Sequence, residues 1–210
     1  MFRRVLPVVL MAWFVATVAA QTPAGWKVHI DRSTNAQDPD NKSGVTFMSM
    51  GKGFHVSGGP AGTYWHPSNT AMGNYTLKGT FTLVKPSDHT NFYGLVFGGR
   101  DLEGPGQTYL YFLVAQDGTW LIKRRAGDAT TEDVVVKTAH AAVKKPAAGG
   151  SSVNALEVRV FARSIDYFVN DTWVHTMPRN GAAAQTDGLW GVRVNHQLEV
   201  QVEGLSLSKL

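Results

Sequence analysis

Short runs in which apolar and polar residues alternate recur along the chain, with turn-forming residues between them. The clearest run is "NYTLKGTFTLVKP", which places two sets of side chains on opposite faces: Tyr75, Leu77, Phe81 and Leu83 on one, Thr76, Lys78, Thr80 and Thr82 on the other. A period of two predicts a half-buried antiparallel strand. The run "NFYGLVFGG" is apolar on both faces and predicts a central strand, with glycines where another backbone or a ligand approaches.

Turn signals join these runs into hairpins, and helical periodicity is almost absent. In "TYLYFLVAQDGTWLIKRR", a two-residue turn at Asp117 and Gly118 would set Leu113 opposite Ile122. We expect about ten to thirteen strands, with loops at 31–44, 57–74, 99–108, 126–152 and 179–188. This pattern predicts an all-β fold, an antiparallel sandwich or barrel.

The stretch "SIDYFVNDTWVHTMP" predicts a hairpin that turns at Asn170 and Asp171 and carries large side chains on both faces. Pairing across that turn separates an aliphatic face expected in the core, Ile165, Tyr167, Val169 and Val174, from a mixed face, Asp166, Phe168, Trp173 and His175. It sets Phe168 opposite Trp173 and Asp166 opposite His175. In the later run "GLWGVRVN", the same alternation points Arg193 and Asn195 outward.

Aromatic rings surrounded by hydrogen-bonding groups are typical of a sugar site. The C–H faces of a sugar stack on aromatic rings, and its hydroxyl groups need donors and acceptors nearby. The predicted carbohydrate-binding residues are therefore Asp166, Phe168, Trp173, His175, Arg193 and Asn195. The alternative is that Phe168 and Trp173 pack under a loop or form the core themselves. A second aromatic candidate is "GTYWHP", where core packing of Trp65 is an equal alternative.

The N-terminal twenty residues predict a cleaved signal peptide, with a basic start, an apolar run and "VAA" before Gln21. A membrane anchor is less favoured, because the run is shorter than the roughly 20 apolar residues that span a bilayer. We expect a secreted or periplasmic protein with one domain over residues 21–210 and no membrane span in the mature chain. Without Arg3 and Arg4, 18 basic residues face 16 acidic ones, a balance that does not indicate nucleic-acid binding.

The absence of cysteine excludes thiol catalysis and cysteine-ligated zinc. The nearest match to a paired-carboxylate motif is "EVQVE", where Gln201 separates Glu199 from Glu203 and cannot titrate. An outward polar face is the favoured interpretation of that run. "DPDNKSG" offers Asp38, Asp40 and Asn41 as calcium ligands, but a plain turn is favoured because Lys42 sits where another oxygen is needed. No cofactor is therefore expected, with calcium as the weak alternative, and no catalytic residue is assigned.

Two segments near the end, "NALEVRVFARSIDYFVNDTWVHTMP" and "DGLWGVRVNHQLEVQVEGLSL", resemble the closing strands of the concanavalin A-like lectin and glucanase superfamily. Within it they are most similar to the 3-keto-disaccharide hydrolase type. The resemblance implies a jelly-roll sandwich of two curved sheets, with carbohydrate usually held on the concave face. Two positions depart from the pattern: Asp171 replaces the turn glycine, and Trp190 is bulkier than the usual aliphatic residue.

These observations favour a secreted carbohydrate-binding β-sandwich without a recognisable catalytic carboxylate pair. The alternative is a hydrolase acting on glycosides such as 3-keto-disaccharides, with Asp166 or His175 as general base. A further alternative is a structural or assembly module of the cell envelope whose aromatic residues only pack.

Overall fold

A computed structural model describes residues 22–31, 44–148 and 150–210. The predicted signal peptide, residues 1–20, lies outside them, as do the calcium candidates Asp38, Asp40 and Asn41. No helix of the described residues is long and apolar enough to cross a membrane. Within the same ranges, no group of three or more histidine, aspartate or glutamate side chains is placed to hold a metal ion.

Antiparallel strands make up most of the described chain. They are β1 (Lys27–Ile30), β2 (Thr46–Met50), β3 (Gly53–Ser57), β4 (Gly62–Ala71), β5 (Tyr75–Lys85), β6 (Phe92–Arg100), β7 (Thr108–Ala115), β8 (Thr119–Ala126), β9 (Thr131–Ala139), β10 (Ser152–Val160), β11 (Ser164–Val169), β12 (Thr172–Pro178), β13 (Gly188–Val194) and β14 (Glu199–Lys209). A 3-10 turn over Gly181–Ala183 follows β12.

The strands form two seven-stranded sheets packed as a β-sandwich jelly roll, which confirms the predicted fold class. Sheet I has the order β1-β4-β13-β6-β7-β8-β9, and sheet II has the order β12-β11-β10-β5-β14-β3-β2. The doubly apolar run predicted to be a central strand is β6, at the middle of sheet I. Two regions expected to be loops hold strands instead, β4 within 57–74 and β9 within 126–152.

The main core lies between the inner faces of the two sheets. Alternation identified its sheet II side correctly: Tyr75, Leu77, Phe81 and Leu83 are fully buried. The aliphatic face predicted for the hairpin is confirmed as well, since Ile165, Tyr167 and Val169 are also fully buried and Val174 is 9% exposed. On β14, Val200 and Val202 are buried while Glu203 is exposed, as expected for an outward polar face.

The β7–β8 hairpin differs from its prediction by one residue. Ala115 O accepts a hydrogen bond from Gly118 N at 3.1 Å, and Leu113 pairs with Leu121 rather than with Ile122. The turn therefore holds three residues, 116–118, and Gly118 has the positive φ of +85° that such a loop needs at its last position.

Candidate functional site

The β11–β12 hairpin turns at Asn170 and Asp171, which both have positive φ values, 50° and 61°. This backbone is that of a two-residue turn suited to the twist of a hairpin, so the replacement of glycine by Asp171 is tolerated. The Asn170 side chain fixes the turn to its surroundings: its oxygen accepts from Ala155 N at 2.9 Å, and its nitrogen donates to Ala142 O at 2.7 Å. These two hydrogen bonds of Asn170 hold the hairpin turn against β10 and the loop that precedes it.

A β-bulge changes which hairpin residues share a face. Phe168 pairs with Trp173 as predicted, but Tyr167 then pairs with His175, because Val174 is an extra residue on β12. The predicted pairing of Asp166 with His175 is wrong. A bulge shifts the alternation by one position, so Asp166 pairs with Thr176 instead.

The outward face of the hairpin holds a ring in a fixed orientation. Trp173 is 57% exposed, and its indole Nε1 donates to Thr176 Oγ1 at 2.9 Å. Thr176 Oγ1 in turn donates to Asp166 Oδ1 at 2.6 Å. Trp173 is one of only a few large hydrophobic side chains that the described residues leave exposed.

Strand β10 extends this face with a charged pair. The Arg159 guanidinium lies 4.2 Å from the centre of the Phe168 ring, within the range of a cation–π contact. Arg159 Nε also donates to Glu157 Oε1. We call the face formed by Asp166, Phe168, Trp173, Thr176, Arg159 and Glu157 the Trp173 surface.

A groove lies next to the Trp173 surface on the outer face of sheet II. It encloses about 320 Å³ and is lined by Lys78, Gly79, Thr80, Ala155, Leu156, Glu157, Asp171 and Gly204. Glu157 belongs to both, since it pairs with Phe168 on one side and with Lys78 on the other. The exposed Trp173 ring, the half-buried Phe168 ring and the hydrogen-bonding groups of the groove therefore form one continuous face.

His175, predicted on this outward face, faces the interior because of the bulge. Its ring centre lies 5.6 Å from that of Trp120 and 6.2 Å from that of Tyr167. Partial burial lowers the pKa of His175 below its ordinary 6.5, since a low-dielectric environment disfavours the imidazolium.

Replacing His175 with Phe is expected to make the protein less sensitive to mild acid. With the folded pKa below the unfolded one, the unfolded chain binds more protons as pH falls through about 6.5, so the wild type loses stability there and keeps it at higher pH. Melting temperatures from pH 8 to pH 5 measure this. The melting temperatures of the two proteins should change in parallel above pH 7.5. An equal decline of both melting temperatures below pH 6.5 would contradict a lowered pKa for His175.

Arg193 and Asn195 belong to sheet I and do not join the Trp173 surface. The strand face was predicted correctly for Arg193, but its side chain is buried, at 6% exposure. Asn195 is half-buried at the end of β13, where its backbone N donates to Phe92 O at 2.9 Å. The six predicted residues are thus divided among the outside of sheet II, the core side and the far face of sheet I.

Around Arg193 the structure brings together a charge cluster that the sequence did not reveal, two buried arginines and the half-buried Asp31. Asp31 accepts from Arg193 Nη2 through Oδ2, and its Oδ1 lies 2.6 Å from Arg125 Nη2. Arg193 Nη1 also donates to Tyr109 OH at 2.9 Å and to Thr63 Oγ1 at 3.2 Å. Burial alone would raise the pKa of Asp31, but Arg193 and Arg125 outweigh it and hold that pKa below its ordinary value.

Contacts between distant strands show that sheet I is curved, with the face that carries Arg193 on its concave side. Thr63 on β4 and Tyr109 on β7 are 3.0 Å apart through their hydroxyls, although β13 and β6 lie between those strands. Neighbouring strands are about 4.8 Å apart, so a flat sheet would keep these side chains separate. This concave face is packed with its own buried side chains: Trp65, Val96, Leu102, Tyr109, Tyr111, Leu113 and Leu121.

The second aromatic candidate, "GTYWHP", is strand β4 and divides between two clusters. Tyr64 packs in the main core and Trp65 in the cluster on the concave face. His66 Nδ1 lies 2.6 Å from Ser68 Oγ. The alternative of core packing for Trp65 is therefore confirmed.

A polar cavity of about 380 Å³ opens beside the buried charges, lined by Val28, His29, Ile30, Asp31, Arg125 and Asp128. His29 Nε2 is 3.5 Å from Asp128 Oδ1, and Gln107 Nε2 lies 2.8 Å from the same imidazole nitrogen. The sequence does not single out this site, because the adjacent residues Arg124 and Arg125 look alike in it. Arg124 donates to Glu132 at 3.0 Å near the surface, whereas the Arg125 side chain is buried.

The sequence matches no protein-family model and no curated protein. Solved structures share its fold. They include the carbohydrate-binding module CBM66 from Bacillus subtilis, with a TM-score of 0.61 and 11% identity over 88% of this chain and 96% of that one. A Bacteroides ovatus mixed-linkage glucan GH16 protein gives a TM-score of 0.56 and 9% identity over 91% of this chain and 97% of that one. An alginate lyase gives a TM-score of 0.54 and 15% identity over 89% of this chain and 95% of that one. These likenesses are consistent with the expected concanavalin A-like architecture, whereas the 3-keto-disaccharide hydrolase type stays a prediction.

Proposed function

We propose that the protein is a secreted carbohydrate-binding protein that holds its ligand on the Trp173 surface. The observation that carries this proposal is the exposed Trp173 ring, held by hydrogen bonds through Thr176 to Asp166. A large ring left in solvent yet fixed in orientation loses little entropy when a flat apolar surface stacks on it. Secretion is supported by the signal-peptide pattern of residues 1–20.

The groups around the ring suit the chemistry of a sugar. Asp166 and Glu157 supply acceptors for hydroxyl groups, and Arg159 supplies donors beside the Phe168 ring. The adjoining groove adds Lys78 and Thr80 along the same face, so several sugar units of a chain would be in contact at once. The carbohydrate-binding module among the structures of the same fold is in keeping with this proposal.

The proposal is tested by measuring retardation of the wild-type protein in native gels that contain plant or bacterial polysaccharides. We expect retardation by at least one polysaccharide and a weaker effect for Thr176→Val, which keeps the side-chain shape but removes the hydroxyl that holds the Trp173 ring. One lost hydrogen bond corresponds to an affinity loss of about two- to tenfold. Retardation of the variant equal to that of the wild type would contradict a role for the fixed ring.

The alternative function, a hydrolase acting on glycosides such as 3-keto-disaccharides, is favoured by a different observation. His29 and Asp128 place an imidazole beside a carboxylate in the cavity of sheet I, an arrangement that suits a general base. Asp166 and His175 do not form such a pair, because the bulge separates them. Release of sugar from 3-keto-disaccharides or glucans by the pure protein would support the hydrolase, and its loss in Asp166→Asn would instead return catalysis to the Trp173 surface.

A further inference from the structure

We infer that a cavity between the two sheets, at Trp190, is a second ligand site, which takes a small aromatic carboxylate. The cavity encloses about 440 Å³, which falls within the roughly 300–1,000 Å³ of small-molecule sites. Its lining comes from both sheets and includes Trp26, Ser49, Lys52, Asn69, Trp190 and Leu205; we call it the Trp190 cavity. The inference goes beyond the proposed function, because the described linings of this cavity and of the groove beside the Trp173 surface share only Gly204.

The first step is that the strands of both sheets are irregular at the Trp190 cavity. In sheet I, Trp190 stands opposite the four β4 residues 66–69, because the residues on either side of it pair with β4 positions 65 and 70. In sheet II, Leu205 belongs to a two-residue stretch of β14 that stands opposite Gly79 alone. Asn69 and Leu205 therefore line the cavity from within two bulges. Bulges are frequent beside functional sites, where they redirect side chains.

The second step is the aromatic wall of the cavity. Trp26 and Trp190 are each only partly buried, and both pack against the main core. The Trp26 ring is held in place by Phe54 and Phe47, whose ring centres lie 4.8 and 5.8 Å from its own. Trp190 stands where the resemblance to the concanavalin A-like pattern implied a smaller aliphatic residue. Aromatic rings favour tilted and edge-to-face contacts, so a flat ring of a ligand would extend this cluster without rearranging it.

The third step is the charge of the lining. Among the described residues that line the cavity, Lys52 is the only one with a charged side chain, and no ion pair of the described structure neutralises it. Ser49 and Asn69 add a hydroxyl and an amide. All three groups donate hydrogen bonds, and an unbalanced positive charge attracts an anion. A carboxylate is therefore favoured over a neutral or cationic group.

The fourth step is access from solvent. Lys52 and Ser49 are exposed on either side of Gly51, at the turn between β2 and β3. A Cβ atom added to Gly51 or to Gly204, which both line the cavity, would meet no other atom within 4 Å. The ring of a ligand can thus enter between the sheets while its carboxylate stays near the Lys52 ammonium.

The test compares phenylacetate with 2-phenylethanol, which has the same ring but no charge, by isothermal titration calorimetry. We expect phenylacetate to bind about tenfold more tightly. Lys52→Gln should raise the dissociation constant of phenylacetate about tenfold and leave that of 2-phenylethanol unchanged, because only the carboxylate pairs with the ammonium. Lys85→Gln is the matched control, since Lys85 is an exposed lysine of the same sheet that does not line the cavity.

The indole N–H signals in ¹H–¹⁵N spectra locate the ligand, with Trp26→Phe and Trp173→Phe providing the assignments. We expect phenylacetate to shift the Trp26 signal, through the ring current of the bound ligand, and to leave the Trp173 signal in place. The inference is overturned if phenylacetate does not shift the Trp26 signal, if hexanoate binds more tightly than phenylacetate, or if the two lysine variants have equal effects.

The same variants keep this inference apart from the proposed function. Phenylacetate binding that Trp173→Ala keeps and Lys52→Gln weakens supports a second site. Phenylacetate binding lost in Trp173→Ala overturns the inference and leaves the proposed function intact, whereas polysaccharide retardation kept in Trp173→Ala counts against the proposed function alone.

Discussion

Replacing Asp31 with Asn is expected to lower the free energy of unfolding by about 3 to 5 kcal/mol. Asp31 is the only carboxylate paired with the buried guanidinium groups of Arg125 and Arg193 in the described structure. Its removal leaves two buried positive charges without an opposite charge, and burial of an unpaired ion is strongly unfavourable. The measurement is urea unfolding at pH 7, where we expect a lower midpoint and, for a chain of this length, a melting temperature lower by on the order of 10 °C.

A matched control uses an ion pair at the surface of the same sheet. Arg124 and Glu132 are 3.0 Å apart and partly exposed, so Glu132→Gln is expected to change stability by less than about 1 kcal/mol. The control effect should also shrink as salt is added, because exposed charges are screened, whereas the Asp31 effect should persist.

The order of two variants tests the charge argument itself. Arg193→Met removes one positive charge but leaves Asp31 paired with Arg125, so the buried charges then balance. We expect Arg193→Met to destabilise less than Asp31→Asn, despite losing the hydrogen bonds to Tyr109 and Thr63. Destabilisation by Arg193→Met equal to or greater than that by Asp31→Asn would show that packing and hydrogen bonds, not the unmatched charge, dominate this cluster.

Local alternation was sufficient to predict the fold class and much of the core. The side chains of a strand alternate with a period of two whatever happens elsewhere in the chain, and the inner faces of β5 and β11 follow directly from that rule. The turn at Asn170 and Asp171 was predictable for the same reason, because its backbone depends on the two residues that form it.

The bulge in β12 could not be predicted from alternation. An extra residue leaves the composition of the strand unchanged but reverses the face of every residue beyond it. His175 therefore faces the interior, and Thr176 lies beside Asp166, where alternation predicted the imidazole. The hydroxyl that orients Trp173 was therefore missed, although the ring itself was identified.

The buried charges of sheet I were missed for a reason of longer range. Alternation indicated that Arg193 faces away from the core, but it does not tell whether that face is open. The curl of sheet I brings Asp31, at the end of edge strand β1, to Arg125 on β8, although four strands lie between β1 and β8 in the sheet. Asp31 and Arg125 are far apart in the sequence, so no local pattern could predict their contact.

Trp173→Ala is expected to weaken binding to any polysaccharide that the wild-type protein retains by about 30-fold or more. Exposed rings at the centre of a binding face carry a large share of the binding energy, about 2 kcal/mol or more on truncation, and that energy corresponds to this factor. The loss of stability should be small, because the ring is 57% exposed and less than half of its surface is removed from water by folding. Isothermal titration calorimetry gives the affinity, and thermal unfolding of the same sample gives the stability.

Two further variants distinguish a stacking platform from a general loss of apolar surface. Trp173→Phe keeps a flat ring but cannot donate to Thr176, so its affinity should fall between those of the wild type and Trp173→Ala. Met72→Ala removes another exposed apolar side chain, at 72% exposure and in the loop between β4 and β5, and should bind as the wild type does. If Trp173→Ala and Met72→Ala both bind as tightly as the wild type, the exposed ring has no part in recognition, and the ligand must be held elsewhere on the sandwich.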